Sequence, residues 1–142
     1  EAGVEFDERL VVSSGMWHRS DGVKAMNSLF DSGVIPDGVV ALNDMLASGV
    51  MHAIQMHDYR IPEDISVIGF DNSDDSQYLS PALTSIDPGL EAVARLSVKV
   101  LKERIDGREP NGEHPGRKVF RKVSSSLVMR QSTKLPQESL VV

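Results

Sequence analysis

The side chains best placed for chemistry stand directly after short apolar runs. Asp71 follows Ile65-Ser66-Val67-Ile68-Gly69-Phe70, and Asn43-Asp44 follow Val39-Val40-Ala41-Leu42. In open α/β sheets, ligands bind in the crevice beyond the carboxyl ends of the strands, so Asp71 stands where a binding residue belongs. Asn43 carries both a donor and an acceptor. An acid after a strand also serves as a turn former or cap, and Asn43 also suits a helix N-cap. Spacing alone leaves both alternatives open.

Other chemistries are poorly served. Asp71, Asp74 and Asp75 form an acid-rich stretch whose ordinary role is a solvated turn. His52 and His57 are five apart on a candidate helix, which does not bring both to one face for a metal. His18 and His114 lie in unrelated loops. Ser13-Ser14-Gly15 lacks the glycine-x-serine-x-glycine elbow, and no phosphate-cradling glycine loop is present. The expectation is a protein that is not an enzyme, with no cofactor and no metal. A net charge of −6 argues against holding nucleic acid by the overall field. The basic run Arg117-Lys118 and Arg121-Lys122 reads as the outer face of a strand. No run approaches the ~20 apolar residues that span a membrane. The absence of cysteine excludes disulfides and fits a cytoplasmic setting.

These residues need elements to position them. Leu10-Val11-Val12 reads as a short strand. Val23, Met26, Leu29 and Phe30 recur at helical spacing, with Ser20 or Asp21 as a cap and Gly33 as a stop. Pro36-Asp37-Gly38 turns the chain into the second apolar run, and a helix over 44–57 comes next with Asn43 as its cap. The run at 65–70 is apolar on nearly every position, which predicts a parallel strand covered on both faces. Strand and helix alternating with short connections imply right-handed crossovers and an α/β fold, a parallel sheet flanked by helices. Leu83-Thr84-Ser85-Ile86 is a further short strand, broken by Pro88-Gly89. Beyond it lies a long amphipathic helix, with Leu90, Val93, Ala94, Ser97, Val98, Leu101 and Ile105 in one stripe. Residues 109–116 read as an exposed loop, and 118–123 and 126–129 as β-like runs before a polar tail.

In this order and spacing the pieces resemble the effector-binding domain of the lactose-repressor/galactose-repressor (LacI/GalR) family of bacterial transcription regulators. The resemblance rests on Pro36-Asp37-Gly38, Leu42-Asn43-Asp44-Met45-Leu46-Ala47-Ser48-Gly49, the stretch from Arg60 through Asp71, Pro81-Ala82-Leu83-Thr84-Ser85-Ile86, and Arg130-Gln131-Ser132-Thr133 near the end. It implies a truncated lobe of the type I periplasmic-binding-protein (Rossmann-like) fold. Residues 1–88 are expected in the C-terminal lobe, 89–116 in a crossover and helix of the N-terminal lobe, and 117–142 in the return and tail. The helix-turn-helix headpiece and most of the N-terminal lobe would lie outside this chain. The apolar stripe after Pro88 would then have lost its cover. The helix is therefore expected to be displaced, packed on a neighbouring chain, or covered by residues assigned elsewhere.

The resemblance also implies roles. The effector is expected to be a mono- or disaccharide, with Trp17 stacking on its apolar face and Asn43 and Asp71 binding its hydroxyls. Leu90 stands where the family often has a large aromatic, and Pro88 where it often has glutamine, so part of the cleft wall differs. Ser48, Met51, His52 and Gln55 on an exposed helix face, with Tyr78 and Leu79, would form a homodimer interface. Operator DNA would be reached only through the absent headpiece, in the cytoplasm and away from membranes. The alternative is an exported sugar-binding protein of the same fold, serving a transporter.

Overall fold

The computed structural model describes residues 6–13, 15–106 and 120–134. Along the chain run α1 (Arg19–Asp31), β1 (Gly38–Val40), α2 (Asp44–Met56), β2 (Ser66–Phe70), β3 (Thr84–Asp87), α3 (Leu90–Ile105) and β4 (Ser126–Val128). The strands lie side by side in the order β1-β2-β3-β4. β1 with β2 and β2 with β3 are parallel, placing Val40 opposite Ile68 and Phe70 opposite Ile86. The chain divides after Ile86 and after Ser126 into two compact units.

The first unit holds the core. Met26, Ala47, Ala53, Ile54, Ile65, Val67 and Leu83 are all essentially shielded from water. In α2 the buried residues recur three and four apart, and that stripe packs on α1 and β2. α1 starts at His18, whose amide donates to Asp21 Oδ2 at 3.1 Å, so Asp21 takes part in the cap from inside the helix. It ends at Gly33 with φ +75°, whose amide donates to the Phe30 carbonyl. The two helices approach through glycine. A Cβ on Gly22 would overlap the Leu46 carbonyl, and one on Gly49 the Arg19 carbonyl.

The turn into β2 is closed by Arg60. Its amide and Nε donate to Asp64 Oδ2 at 2.8 Å, and its Nη2 donates to Oδ1 at 2.7 Å. These bonds to the ionised form hold the Asp64 carboxyl at about 2. The folded value lies below the unfolded one of about 3.9, so the stabilisation is complete above pH ~4 and is lost as pH falls toward 2. A carboxyl 13C titration should place Asp64 near that value, and Asp64→Asn should flatten this part of the acid limb of stability against pH.

In the second unit, Gly89 at φ +71° precedes α3, and its amide donates to Asp87 Oδ1 at 2.7 Å. Leu96 and Val100 are half-buried, in a groove that Val123 also lines. No residue of α3 is fully buried.

Several expectations need correction. Residues 10–12 form no strand. Residues 8–10 make a single 3-10 turn capped by Asp7, which binds the Arg9 amide and guanidinium, and Val11 and Val12 have no ladder partner among the described residues. β2 is shielded on one face: Val67 is fully buried while Ile68 is half-exposed, and neighbouring Val40 is 71% exposed. Met51 does not belong to an exposed helix face. It is buried, because its position on α2 falls on the core stripe. Leu90, Val98, Leu101 and Ile105 of the α3 stripe are each more than half exposed, so of its expected outcomes only cover by residues assigned elsewhere is not seen among the described residues. Residues 120–123 form no strand. The loop at 109–116, residues 118–119 and most of the polar tail lie outside the described residues.

Candidate functional site at the strand tips

Parallel pairing sends the carboxyl ends of β1 and β2 to the same edge, and the next residues of each strand form a polar rim. From β1 come Asn43 and Asp44; from β2 come Asp71, Asn72 and Ser73. Asn43 serves as N-cap of α2, its Oδ1 accepting from the Leu46 amide at 2.7 Å. Its Nδ2 donates to the Trp17 carbonyl at 3.2 Å, which ties the loop before α1 to the same rim. Trp17 itself is 57% exposed, although it is the largest side chain in the unit. Burying such a ring against the core would be worth several kcal/mol if nothing else used it.

Asp71 stands just past β2 with φ +106°, and Asn72 comes next at φ +49°. Non-glycine residues in this region are uncommon and strained, and persist only where neighbours fix them. The Asp71 amide donates to the Ile86 carbonyl at 3.0 Å, extending the β2–β3 ladder by one residue. Desolvation first, and the charge of Asp44 second, push the Asp71 carboxyl above its ordinary value. Asp71 is nonetheless exposed at the rim, where its carboxylate is open to donors from outside the fold.

Beneath the rim lies a scaffold to which the sequence motifs assigned no role. Asp44 is buried and accepts from the Ser73 amide at 2.7 Å and from the Ser76 and Ser85 hydroxyls at 2.6 Å each. Arg130 donates to the Leu83 carbonyl and to Asn72 Oδ1, both at 2.7 Å. Ser132 Oγ donates to the Val67 carbonyl at 2.6 Å and accepts from the Thr84 amide at 2.8 Å. The closing Arg130-Gln131-Ser132-Thr133 therefore stitches β2 to β3, and Arg130 braces the Asp71 turn through Asn72. The available signal was serine and threonine at 73, 76, 84, 85, 132 and 133 beside short strands, too common a pattern to single out.

Asn43 and Asp71 thus lie along one edge of the first unit, with Trp17 tied to it through its backbone carbonyl, and two strand tips and a loop supply them, since 10–12 is no strand. Leu90 opens α3 in the second unit and is 60% exposed. Ser48, Met51, His52, Gln55, Tyr78 and Leu79 all line one groove of about 520 Å³. Met51 is its floor, Tyr78 at 75% exposure its rim, and Gln55 bridges it by donating to the Ser80 carbonyl at 2.7 Å. Arg19 reaches Asp75 at 2.8 Å, joining the start of α1 to the segment after β2. His57 pairs with Asn27 Oδ1 at 3.1 Å and lies against the Phe30 ring. Among the described residues no group of three His, Asp or Glu converges as a metal site, and no helix is long and apolar enough to cross a membrane.

This arrangement has known counterparts. The model of the periplasmic binding protein-like domain matches residues 1–133. The chain belongs to that family, in the form found as the effector-binding domain of LacI/GalR-type regulators. It is 33% identical over 134 residues to the HTH-type transcriptional repressor PurR of Pasteurella multocida, covering 94% of this chain and 38% of that one. A crystal structure of a LacI-type transcription regulator from Bifidobacterium animalis subsp. lactis superposes with a TM-score of 0.83 at 38% identity. That match covers 94% of this chain and 45% of the other. The complex of transcriptional regulator CelR with cellobiose gives 0.80 at 32% identity, over 92% of this chain and 38% of that one. The chain therefore spans less than half the length of the family members it matches. The family's fold, a sheet with flanking helices, is the one observed, with β1, β2 and β3 parallel.

Proposed function

We propose that this chain is the effector-sensing part of a DNA-binding transcriptional regulator, and that it holds a small saccharide at the rim of β1 and β2. The observation that carries this reading is the shared edge: an exposed indole, a capping amide and an exposed carboxylate just past the tip of β2. The indole offers an apolar face to a sugar ring, Asn43 a donor or an acceptor, and Asp71 two charge-strengthened acceptors. Exposure of the indole supports the same reading, because a ring kept for packing would be covered. CelR, which binds cellobiose in its solved complex, is a precedent for the ligand class. The second side of the cleft and the cover for α3 would come from a second lobe, and closure of the lobes on effector would alter how a dimer presents DNA-binding headpieces. This reading implies a cytoplasmic protein. No catalytic step is required, and the matched relatives are regulators and not transporter components.

The groove over α2 is proposed as the two-fold interface. It is self-contained on one unit, and an isologous contact uses one patch twice. Tyr78→Asp, which sets a charge on its exposed rim, should shift a dimer to monomer in sedimentation at micromolar protein without changing the melting temperature of the monomer.

The sensing proposal is tested by a thermal-shift screen of the protein, extended to the length of its relatives, against mono- and disaccharides. A sugar present at 100 times its Kd should stabilise the fold by ~2.7 kcal/mol, a shift of several degrees. Trp17→Ala should abolish that shift while leaving the unliganded melting temperature within a degree or two. A shift equally large in Trp17→Ala would refute the site.

A further inference from the structure

Asp44 is a buried carboxylate whose partners in the fold are an amide and two hydroxyls rather than a cation. Its place in the first turn of α2 accounts for this, since free amides and the helix dipole favour negative charge there. A Cβ on Gly69 would overlap Asp44 Oδ1, so the carboxylate fills space that glycine in β2 leaves open. Its contacts converge on one short turn. Oδ2 takes the Ser73 amide directly. Oδ1 takes the Ser85 hydroxyl, whose oxygen accepts from the Asn72 amide at 3.0 Å. The two amides that come after Asp71 are therefore tied to one carboxylate, directly or through one hydroxyl, where the backbone sits at two consecutive positive φ values.

We propose that Asp44 is a positioning residue for the effector rim: through Ser73 and Ser85 it locks the Asp71–Asn72 turn and holds the Asp71 carboxyl in its binding orientation before any ligand arrives. The consequence for sensing rests on the proposed role of Asp71 in holding effector; the lock itself does not. Asp44 and Asp71 share the rim, so the lock also sets the charge that Asp71 feels.

The test uses this chain with Asp44→Asn and Ser85→Ala, read by amide exchange, backbone coupling constants and carboxyl 13C titration. In Asp44→Asn, exchange at Asn72 and Ser73 should rise roughly tenfold or more relative to Val67 in β2, as expected when a charge-assisted bond is lost. The couplings at 71 and 72 should move away from their positive-φ values, and the Asp71 midpoint should fall as the neighbouring charge disappears. Ser85→Ala should speed exchange at Asn72 while sparing Ser73, and should not lower the Asp71 midpoint. If Asp44→Asn does not fold, Ser85→Ala decides alone. Uniform acceleration at 67, 72 and 73 with an unmoved Asp71 midpoint would reduce Asp44 to a general stabiliser and overturn the proposal. Retained saccharide binding in Asp71→Ala would instead remove the effector reading and leave the lock standing.

Discussion

Gly49→Ala should destabilise the first unit by about 3 kcal/mol or more, at the upper end of overpacking costs. The added methyl meets the Arg19 carbonyl and the Val23 amide, both backbone, so no side chain can swing aside. Relief requires α1 to slide along α2, which would pull Met26 and Leu29 out of the core. Alanine is better than glycine inside a helix by about 1 kcal/mol, too little to offset the overlap. Gly38→Ala is the control. Its new methyl would find the Ser66 carbonyl at 3.7 Å, an ordinary contact, and stability should change by about 0.5 kcal/mol or less. Urea unfolding of the two variants checks both statements. Equal midpoints would show that the close approach of α1 to α2 does not depend on glycine at position 49.

Ser132→Ala should cost about 2–5 kcal/mol. The hydroxyl is fully buried and serves two strands at once, donating to Val67 and accepting from Thr84. Alanine leaves a buried carbonyl and a buried amide each without that partner, at about 1–3 kcal/mol per group. No cavity arises that could admit a compensating water easily, because only one oxygen is removed. Thr133→Ala loses one half-buried hydroxyl contact with Thr84 at 2.9 Å and should cost about 1 kcal/mol. A ratio near one between these two variants would show that the closing segment does not bind β2 to β3 as described.

These two positions also mark the limit of what spacing can reveal. The helix over 44–57 was legible because its apolar residues recur three and four apart and Asn43 precedes them; the structure places α2 at Asp44–Met56 with that cap. β2 was legible as an apolar run ending in polar residues. The tip position of Asp71 came from general α/β geometry, and Trp17 and Leu90 drew roles only from family resemblance. The Leu10-Val11-Val12 run misled because β-propensity describes fit to a partner strand, and there it meets none among the described residues. Met51 was misplaced because a helix face was assigned without knowing the turn of α2 against α1. The bracing roles of Asp44 and Ser132, residues quoted only as parts of motifs, were missed for a different reason. Their partners lie 29 to 65 residues away, and no local period connects a carboxylate at a helix start to serines in later segments of the chain.

The central claim is that Trp17 and Asp71 face the same ligand. Trp17 is the only tryptophan in the chain, so its emission reports the rim directly wherever the remainder of the protein lacks the residue or has it replaced. The decisive measurement is a fluorescence titration with the saccharide selected by thermal shift, in the wild type and in Asp71→Ala. Saturable quenching or a blue shift in the wild type, weakened at least tenfold in Asp71→Ala, is the expected result; a charge-assisted bond is worth about that much. Saturable quenching of undiminished affinity in Asp71→Ala, or Trp17 emission that does not change in the wild type at a saccharide concentration that saturates the thermal shift, would contradict it.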